Sequence, residues 1–251
     1  MQLLEKIYNS RNTLKQLLDP EWNVDSIEDV SLKELEAMYV NENSKTYVDS
    51  GCNITLTHKK LPSHKLHIIY YNFPQLHLSG TKINKSVCDK LIALYKQEGF
   101  ESDETLFDKE DSLLVIINEP VSDNITDNIE TTYKAGLSEL KSGINPELTK
   151  EMKTSNFEVG IQYFRNIHIF HIDTLIHNLL QHTLVPQHIP IRHKQEIQKI
   201  LSETNAELYQ LPVILRTDPI AKLVRLCPGD ICKIIRTSEK CGESVYYRVC
   251  K

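Results

Sequence analysis

The stretch RTDPIAKLVRLCPGD, residues 216–230 of this 251-residue chain, decides how the C-terminal third of the chain folds. Thr217 or Asp218 can accept hydrogen bonds from the free N–H groups at a helix start. Pro219 suits the first helical turn, because the N–H that it lacks is not needed there. The residues CPGD at 227–230 are typical of a turn. The stretch therefore predicts a short capped helix followed by a tight turn.

Strand and helix patterns alternate on both sides of this helix, over residues 168–251. The segment VPQHIPI, at 185–191, contains too much proline for a strand or a helix. Gly242 fits the loop of a hairpin. We therefore predict a compact β-α-β-α-β-β domain that folds alone. Its remaining elements are TLIHNLLQ (174–181) as a strand or a helix, RHKQEIQKILSE (192–203) as a helix, and LPVILR (211–216), ICKIIR (231–236) and SVYYRVC (244–250) as strands.

Residues 1–167 are predicted to form a separate domain in which helices flank a sheet. Ser31 and Glu34 have the spacing of a capping box for a short helix. The polar segment 142–157, which contains glycine and proline, is interpreted as a linker region. The chain is therefore assigned to the α/β class, α+β overall. The predicted elements are a helix that ends at Pro20, a helix at 31–39, strands at 53–58, 65–72 and 112–118, and helices at 84–99 and 129–141.

The composition is that of an ordinary globular protein, with 40% hydrophobic and 25% charged residues. No apolar run reaches the roughly 18 residues that a membrane helix needs, and the N-terminus lacks the core of a signal peptide. The six cysteines are scattered without a CxxC pair. We therefore expect reduced thiols in a cytosolic or nuclear compartment, and no membrane partner.

Charge is distributed unevenly along the chain. Residues 1–170 carry 18 Lys and Arg against 26 Asp and Glu, whereas residues 171–251 carry 11 against 8. The chain lacks a strongly basic tract that would neutralise phosphates. Any contact with nucleic acid is therefore expected to be weak, or to occur inside a larger assembly.

Two patterns raise the question of catalysis, and both favour a structural role. Six histidines lie between 168 and 193, but their spacing lacks the HExxH pattern and the convergence that a zinc or general-base site needs. Glu139 and Lys141 match half of a nuclease motif that belongs at a strand end, yet they fall on a predicted helix. We expect no catalytic residue, metal, cofactor or small-molecule substrate. A stand-alone metal-dependent nuclease that uses Glu139 and Lys141 is the first alternative.

Four cations surround the capped helix. Lys222 and Arg225 are spaced i, i+3 and are expected to share a helical face, while Arg236 and Arg248 flank the neighbouring strands. Together they make a face that suits an acidic or carbonyl-rich partner, although ordinary solubility also explains them.

The C-terminal third resembles the C-terminal domain of the fifth subunit shared by eukaryotic RNA polymerases I, II and III, and the archaeal counterpart of that subunit. The resemblance covers about residues 170–251 and consists of a long, ordered series of motifs. The matching positions are Leu184-Val185-Pro186 with His188, Leu211-Pro212, Asp218-Pro219 with Ala221, Gly229, Lys233-Ile234-Ile235-Arg236, Ser238-Glu239, Gly242 and Tyr247-Arg248.

The resemblance implies a non-catalytic subunit of a multisubunit DNA-dependent RNA polymerase, whose C-terminal domain docks on the largest subunit and helps assembly with the other subunits. A transcription regulator that reuses this polymerase-binding domain is the second alternative. Reversing Arg225 and Arg236 to Glu is expected to abolish co-purification with the largest subunit and to leave the fold intact. The residues assigned to this contact are Thr217, Asp218, Pro219, Lys222, Arg225, Arg236, Ser238, Tyr247 and Arg248.

Residues 1–167 resemble, more weakly, the jaw domain of the eukaryotic subunit. The core of that domain is similar to restriction endonucleases without their catalysis. The resemblance implies a jaw that lies beside downstream double-stranded DNA and contacts it weakly within the complex. The segments 84–112 and 142–172 look longer than is usual for the jaw.

Several positions depart from the family pattern. Cys227 and Pro228 stand where the family usually has Lys-Arg, and Cys241 and Glu243 replace a small residue and an Arg. With 26 Ile and 16 Asn against 5 Ala, a bias towards AT-rich codons, these departures indicate an unusual eukaryote or a large DNA virus that carries its own polymerase. The expected location is the nucleus for a cellular protein, and the host cytoplasm and virion for a viral one.

Overall fold

The structure, a computed structural model, contains two four-stranded sheets. The predicted helix at 84–99 lies outside the described residues, apart from Tyr95. No helix in the described part of the chain is long and apolar enough to cross a membrane. The residues that the structure describes are 3–39, 52–71, 95, 107–238 and 242–251.

The first sheet is mixed, with its strands in chain order. Strands β1 and β2 pair antiparallel, whereas β2 with β3 and β3 with β4 pair in parallel. The strands are β1 (Ile54–Thr57), β2 (Lys65–Tyr70), β3 (Ser112–Ile117) and β4 (Ile167–His171). The helices of this part of the chain are α1 (Leu3–Leu18), α2 (Leu32–Tyr39), α3 (Asp123–Leu140) and α4 (Pro146–Thr154).

Helices cover both faces of the first sheet, as the sequence predicts. On one face, Leu14 of α1 and Leu35 of α2 pack in a cluster with Leu114 of β3. On the other face, Ile129 of α3 packs with Val115 of the same strand. Strand β3 is buried along its whole length, which explains its continuous apolar sequence. The predicted capping box is also present: the Ser31 N–H donates to the Glu34 carboxylate at 2.7 Å.

The segment 142–157 is not an open linker, because most of it forms α4. The Asn145 side chain caps this helix by accepting from the Glu147 N–H at 2.9 Å. Leu148 of α4 is buried in a cluster with Leu61 and Phe164. Most residues of the segment are polar, but a few apolar side chains on one side of a helix are enough to attach it to the surface.

The second sheet has the strand order β5-β7-β8-β6. Its chain order, β5-α5-β6-α6-β7-β8, confirms the predicted β-α-β-α-β-β arrangement. The two C-terminal strands form the predicted antiparallel hairpin, and β6 pairs with β8 in parallel. The elements are β5 (Gln187–Ile191), α5 (Lys194–Glu203), β6 (Val213–Ile214), α6 (Pro219–Leu223), β7 (Ile231–Ser238) and β8 (Gly242–Cys250).

The first strand of this sheet is not where the sequence placed it. Segment 174–181 forms short 3-10 turns, and the strand lies in VPQHIPI instead. Pro190 is tolerated because β5 is an edge strand that pairs only with β7. The predicted domain boundary at 167/168 therefore falls inside β4, and the second sheet begins at Gln187.

Each face of the second sheet has its own hydrophobic cluster. Helix α5 contributes Ile200 to the cluster on one face. Helix α6 contributes Ala221 to the cluster on the other face, which also contains Cys232 and Cys250. Every member of both clusters lies within residues 191–250. The second sheet therefore has hydrophobic clusters of its own, although Leu223 of α6 packs in the cluster of the first sheet.

Candidate functional site

The predicted helix cap is present at the start of α6. The Asp218 carboxylate accepts from the N–H groups of Ile220 at 2.8 Å and of Ala221 at 3.2 Å. Pro219 occupies the first turn of the helix. The carboxylate and proline therefore fix where the helix begins and which way it points.

Thr217, Pro219 and Lys222 line a groove of about 870 Å³ next to this helix start. Phe170 of β4 also lines it. The remaining polar lining includes His171, Asp173, Thr174, His177, Asn178 and His182. Three of the six histidines between 168 and 193 therefore line the groove. Their spacing along the sequence did not indicate that they come together.

Lys222 is half-buried in this groove. Burial lowers the pKa of its ammonium group, with Arg216 adding to the effect and Glu130 opposing it. No carboxylate within the described ranges forms an ion pair with Lys222. A cation in this state favours a negative or carbonyl-rich group from outside.

Arg236, Tyr246 and Arg248 form a second exposed surface, here called the hairpin face. The β7–β8 register places all three on one side of the sheet. The Arg236 guanidinium lies 5.1 Å from the centre of the Tyr246 ring. The Arg248 guanidinium donates to the Val213 carbonyl at 3.2 Å. Arg236 is exposed and Arg248 is half-buried, and each has a contact that favours one orientation of its side chain.

The hairpin face differs at positions 246 and 247 from the residues that the sequence assigned to the contact with the largest subunit. Tyr246, which is 48% exposed, belongs to it although only its neighbour was assigned. Tyr247 points to the other side of the sheet, where it packs against the cluster around Ile200. The period-two alternation of a strand carries this signal and identifies Tyr246 as the residue that shares a side with Arg248. Ser238 ends β7, and its side chain is outside what the structure describes.

Arg225 does not lie on a docking surface, contrary to the prediction. Helix α6 ends at Leu223, so Lys222 and Arg225 do not share a helical face. Arg225 follows with a φ of +54°, which turns its side chain inward. Its guanidinium is buried at 5.3 Å from the centre of the Trp22 ring, between the two sheets.

Arg216 and Asn166 form the centre of a buried polar joint between the two sheets. From Nη2, Arg216 donates to the Asn166 side-chain oxygen at 2.7 Å and to the Ile167 carbonyl at 2.6 Å. Its Nη1 forms an ion pair with Glu130 of α3. Asn166 in turn donates to the Cys227 sulfur at 3.0 Å. From the sequence, Arg216 was assigned only to the end of a strand, and no local pattern distinguishes it.

Arg192 completes the joint on the side of β5. It forms ion pairs with Glu21, which follows α1, and with Asp230 at 3.3 Å. Its Nη2 also donates to the Val224 carbonyl at 2.6 Å. Burial raises the pKa of Asp230 to about 6, although Arg192 opposes this shift. Of these ion pairs, Arg192–Glu21 and Arg216–Glu130 form only when the two sheets are in contact.

Glu139 and Lys141, which match half of a nuclease motif, do not form a metal site. Glu139 lies on α3, and its carboxylate accepts from Arg165 Nη1 at 2.6 Å. Lys141 follows the last residue of that helix. No group of three or more His, Cys, Asp or Glu side chains in the described ranges is arranged to hold a metal ion. The geometry therefore gives no support to metal-dependent nuclease chemistry.

Comparison with known proteins places the second sheet in a class. Residues 177–250 match the family described as "RNA polymerase Rpb5, C-terminal domain". The class is thus that of small C-terminal domains of RNA polymerase subunits, and the match begins just before β5.

Individual relatives are also RNA polymerase subunits. A protein named "DNA-directed RNA polymerase subunit Rpo5" from Methanosphaera stadtmanae is 49% identical over 72 residues, which are 29% of this chain and 92% of the relative. A protein of the same name from Sulfurisphaera tokodaii is 52% identical over 68 residues, 27% of this chain and 80% of the relative. The chain belongs to the Rpb5/Rpo5 family of RNA polymerase subunits.

Proposed function

We propose that this chain is a non-catalytic subunit of a multisubunit DNA-dependent RNA polymerase. The observation that carries the proposal is the match of residues 177–250 to the Rpb5 C-terminal domain, together with the similarity of 72 residues of this chain to 92% of an Rpo5 subunit. The intact β5-α5-β6-α6-β7-β8 unit supports it, because the similar residues form a whole domain with its own core. Reaction chemistry in this proposal belongs to other subunits of the complex.

The second domain, which is residues 177–251 and contains the second sheet, docks on the largest subunit through the hairpin face. Arg236 and Arg248 supply positive charge that is already held in position, and Tyr246 supplies an exposed aromatic ring. Arginine and tyrosine are the side chains most often enriched where protein interfaces bind strongly. The groove beside α6, with Lys222 in its wall, extends the contact towards the first sheet.

The first domain, which contains the first sheet, lies near downstream DNA in this proposal, and its contact with DNA is limited. Residues 1–170 carry 26 acidic against 18 basic residues, and phosphate neutralisation requires cations. The ion pairs of Arg192 with Glu21 and of Arg216 with Glu130 support the role, because they attach the docked second domain to the first.

Co-purification with the largest subunit tests the docking surface. Arg236→Glu places an acid on the hairpin face, and we expect it to reduce recovery of the complex at least about tenfold, since like charges across an interface repel. Lys199→Glu on exposed α5 is the matched control, and full recovery is expected. Equal recovery of both variants would contradict docking through the hairpin face. Arg225 is unsuitable for this test because its reversal would bury an acid.

A further inference from the structure

Buried hydrogen-bond donors without acceptors gather around Arg225. The guanidinium is 5% exposed, and its Nε and Nη1 atoms have no partner among the described residues. Three further buried groups also have no hydrogen-bond partner in the described part of the chain: Trp22 Nε1, His58 Nε2 and the Tyr163 hydroxyl. Leaving such a group buried without an acceptor is unfavourable. Several of them in one place therefore call for a species that supplies acceptors.

These side chains form a single cluster. The Trp22 and His58 rings are 5.2 Å apart, and His58 and Tyr163 are 5.9 Å apart, centre to centre. The Arg225 guanidinium lies 5.3 Å from the centre of the Trp22 ring. His64 packs against both Trp22 and Tyr163, and its Nδ1 is also unpartnered within the described ranges.

The tautomer of His58 is set by the backbone N–H groups that donate to its ring. Its Nδ1 accepts from the N–H groups of Lys60 at 3.1 Å and of Leu61 at 3.0 Å. Burial lowers the pKa of His58 to about 4, with Arg225 adding to the effect, so the ring is neutral at physiological pH. A neutral ring whose Nδ1 accepts carries its hydrogen on Nε2. His58 Nε2 is therefore a donor, like the indole and guanidinium nitrogens beside it.

The carboxylates near the cluster are engaged elsewhere. Glu21 and Asp230 pair with Arg192, and Glu130 pairs with Arg216. No acid of the described chain forms an ion pair with Arg225. Burial lowers the pKa of Arg225 to about 10, with Arg192 and Arg216 adding to the effect, so it stays charged at neutral pH. The Trp22 ring offsets part of this charge, but its π face offers no acceptor for the in-plane N–H groups.

We propose that a small inorganic anion of the size of chloride binds between Arg225, Trp22, His58 and Tyr163. An anion accepts several hydrogen bonds at once and balances the guanidinium, whereas one water accepts about two and carries no charge. The four side chains are 1–5% exposed, so the occupant is small and is enclosed when the sheets come together. The anion thereby stabilises the joint between the two sheets.

Thermal unfolding of the full chain tests the proposal. Since a ligand that binds only the folded state raises the melting temperature, sodium chloride should raise it above the value in sodium gluconate at the same ionic strength, by about 2–4 °C. Arg225→Gly suits the positive φ and removes the guanidinium, and it should abolish the difference between the two salts. Lys199→Gln, which removes an exposed charge, should keep it. The same chloride effect in Arg225→Gly would reveal a general salt effect and overturn the proposal.

Two further measurements test anion binding if Arg225→Gly fails to fold. Tyr163→Phe deletes only one donor and keeps the ring, and it should weaken the chloride dependence while the protein stays folded. Crystals of the full chain soaked in bromide should show an anomalous peak beside Arg225. Density for water without a bromide peak, or an unchanged chloride dependence in Tyr163→Phe, would overturn the proposal.

Discussion

Arg216 donates from Nη2 to the Asn166 side-chain oxygen at 2.7 Å, and this hydrogen bond joins the segment before α6 to the residue before β4. The Asn166 amide then donates to the Arg225 carbonyl at 3.3 Å and to the Cys227 sulfur at 3.0 Å. One buried amide therefore contacts the chain on both sides of α6. This arrangement fixes the orientation of α6, and with it the second sheet, against the edge of the first sheet.

Arg216→Ala should lower the free energy of unfolding of the full chain by about 3 kcal/mol, because it removes one partner of a buried ion pair. Glu130, the Asn166 side-chain oxygen and the Ile167 carbonyl would all lose their donor. Urea unfolding followed by circular dichroism measures the loss. Arg236→Ala, at an exposed position, is the matched control and should change stability by less than about 0.5 kcal/mol. Equal losses in the two variants would show that the joint does not stabilise the chain.

Residues 177–251 should fold alone, and β4 should be left out because it belongs to the first sheet. Both clusters of the second sheet come from residues 191–250, so the fragment keeps its core. A single cooperative thermal transition is the expected result, and a broad transition would contradict the autonomy of this domain.

In that fragment, Arg225→Gly should raise stability by about 1 kcal/mol. Without Trp22 the guanidinium has lost its contact with the first domain, while the φ of +54° still disfavours arginine relative to glycine. The melting temperatures of the two fragments measure the difference. Lys199→Gly, within helix α5, provides the control and should lower stability instead. A melting temperature that falls with Arg225→Gly would show that the turn is not strained.

Most of the second domain could be predicted from the sequence, because its elements depend on interactions between residues that are near each other in the chain. The Asp218 cap, helix α5 and the β7–β8 hairpin depend on residues that are close together in the chain, so their patterns are visible without a structure. The strand at VPQHIPI was missed because proline is excluded only where its N–H is needed, and an edge strand does not need it.

The candidate site was harder to predict, because burial at a domain contact depends on distant residues. Nothing around Arg225 in the sequence indicates that Trp22, near the other end of the chain, covers it. The same is true of Arg216, whose partners lie in α3 and beside β4. Arg236 is exposed and Arg248 is half-buried, and both lie on the side of the sheet that the alternation of a strand predicts.

Acid should destabilise the full chain between about pH 6.5 and pH 4. Burial lowers the pKa of His58 to about 4 from its ordinary value of 6.5, and it also lowers the pKa values of His64 and His168. Because the unfolded chain then binds more protons, this stability is present above pH 6.5 and is lost as the pH falls through the folded-state pKa values. Asp230 acts in the opposite direction, since its raised pKa of about 6 favours the folded state below that pH.

The three histidines lose stability in acid and only Asp230 opposes them, so we expect a net loss of stability. Urea unfolding at pH 7 and at pH 5 measures this loss. His58→Asn should reduce the difference between the two pH values, since the Asn side-chain oxygen can still accept from Lys60 and Leu61. His188→Asn changes a histidine outside this cluster and should leave the difference unchanged. A chain that is more stable at pH 5 than at pH 7 would contradict the prediction.

Cys227 should report directly on the opening of the joint. Its sulfur is buried between the sheets and accepts from Asn166, whereas Cys232 is buried inside the second sheet. Burial raises the pKa of both thiols, to about 11 for Cys232, so neither reacts while the chain is folded. Arg216→Ala should accelerate iodoacetamide labelling of Cys227 at least about tenfold and leave Cys232 unchanged, because the joint opens without unfolding the second domain. Digestion and mass spectrometry locate the label, and equal acceleration at both cysteines would mean that the two sheets unfold as one unit.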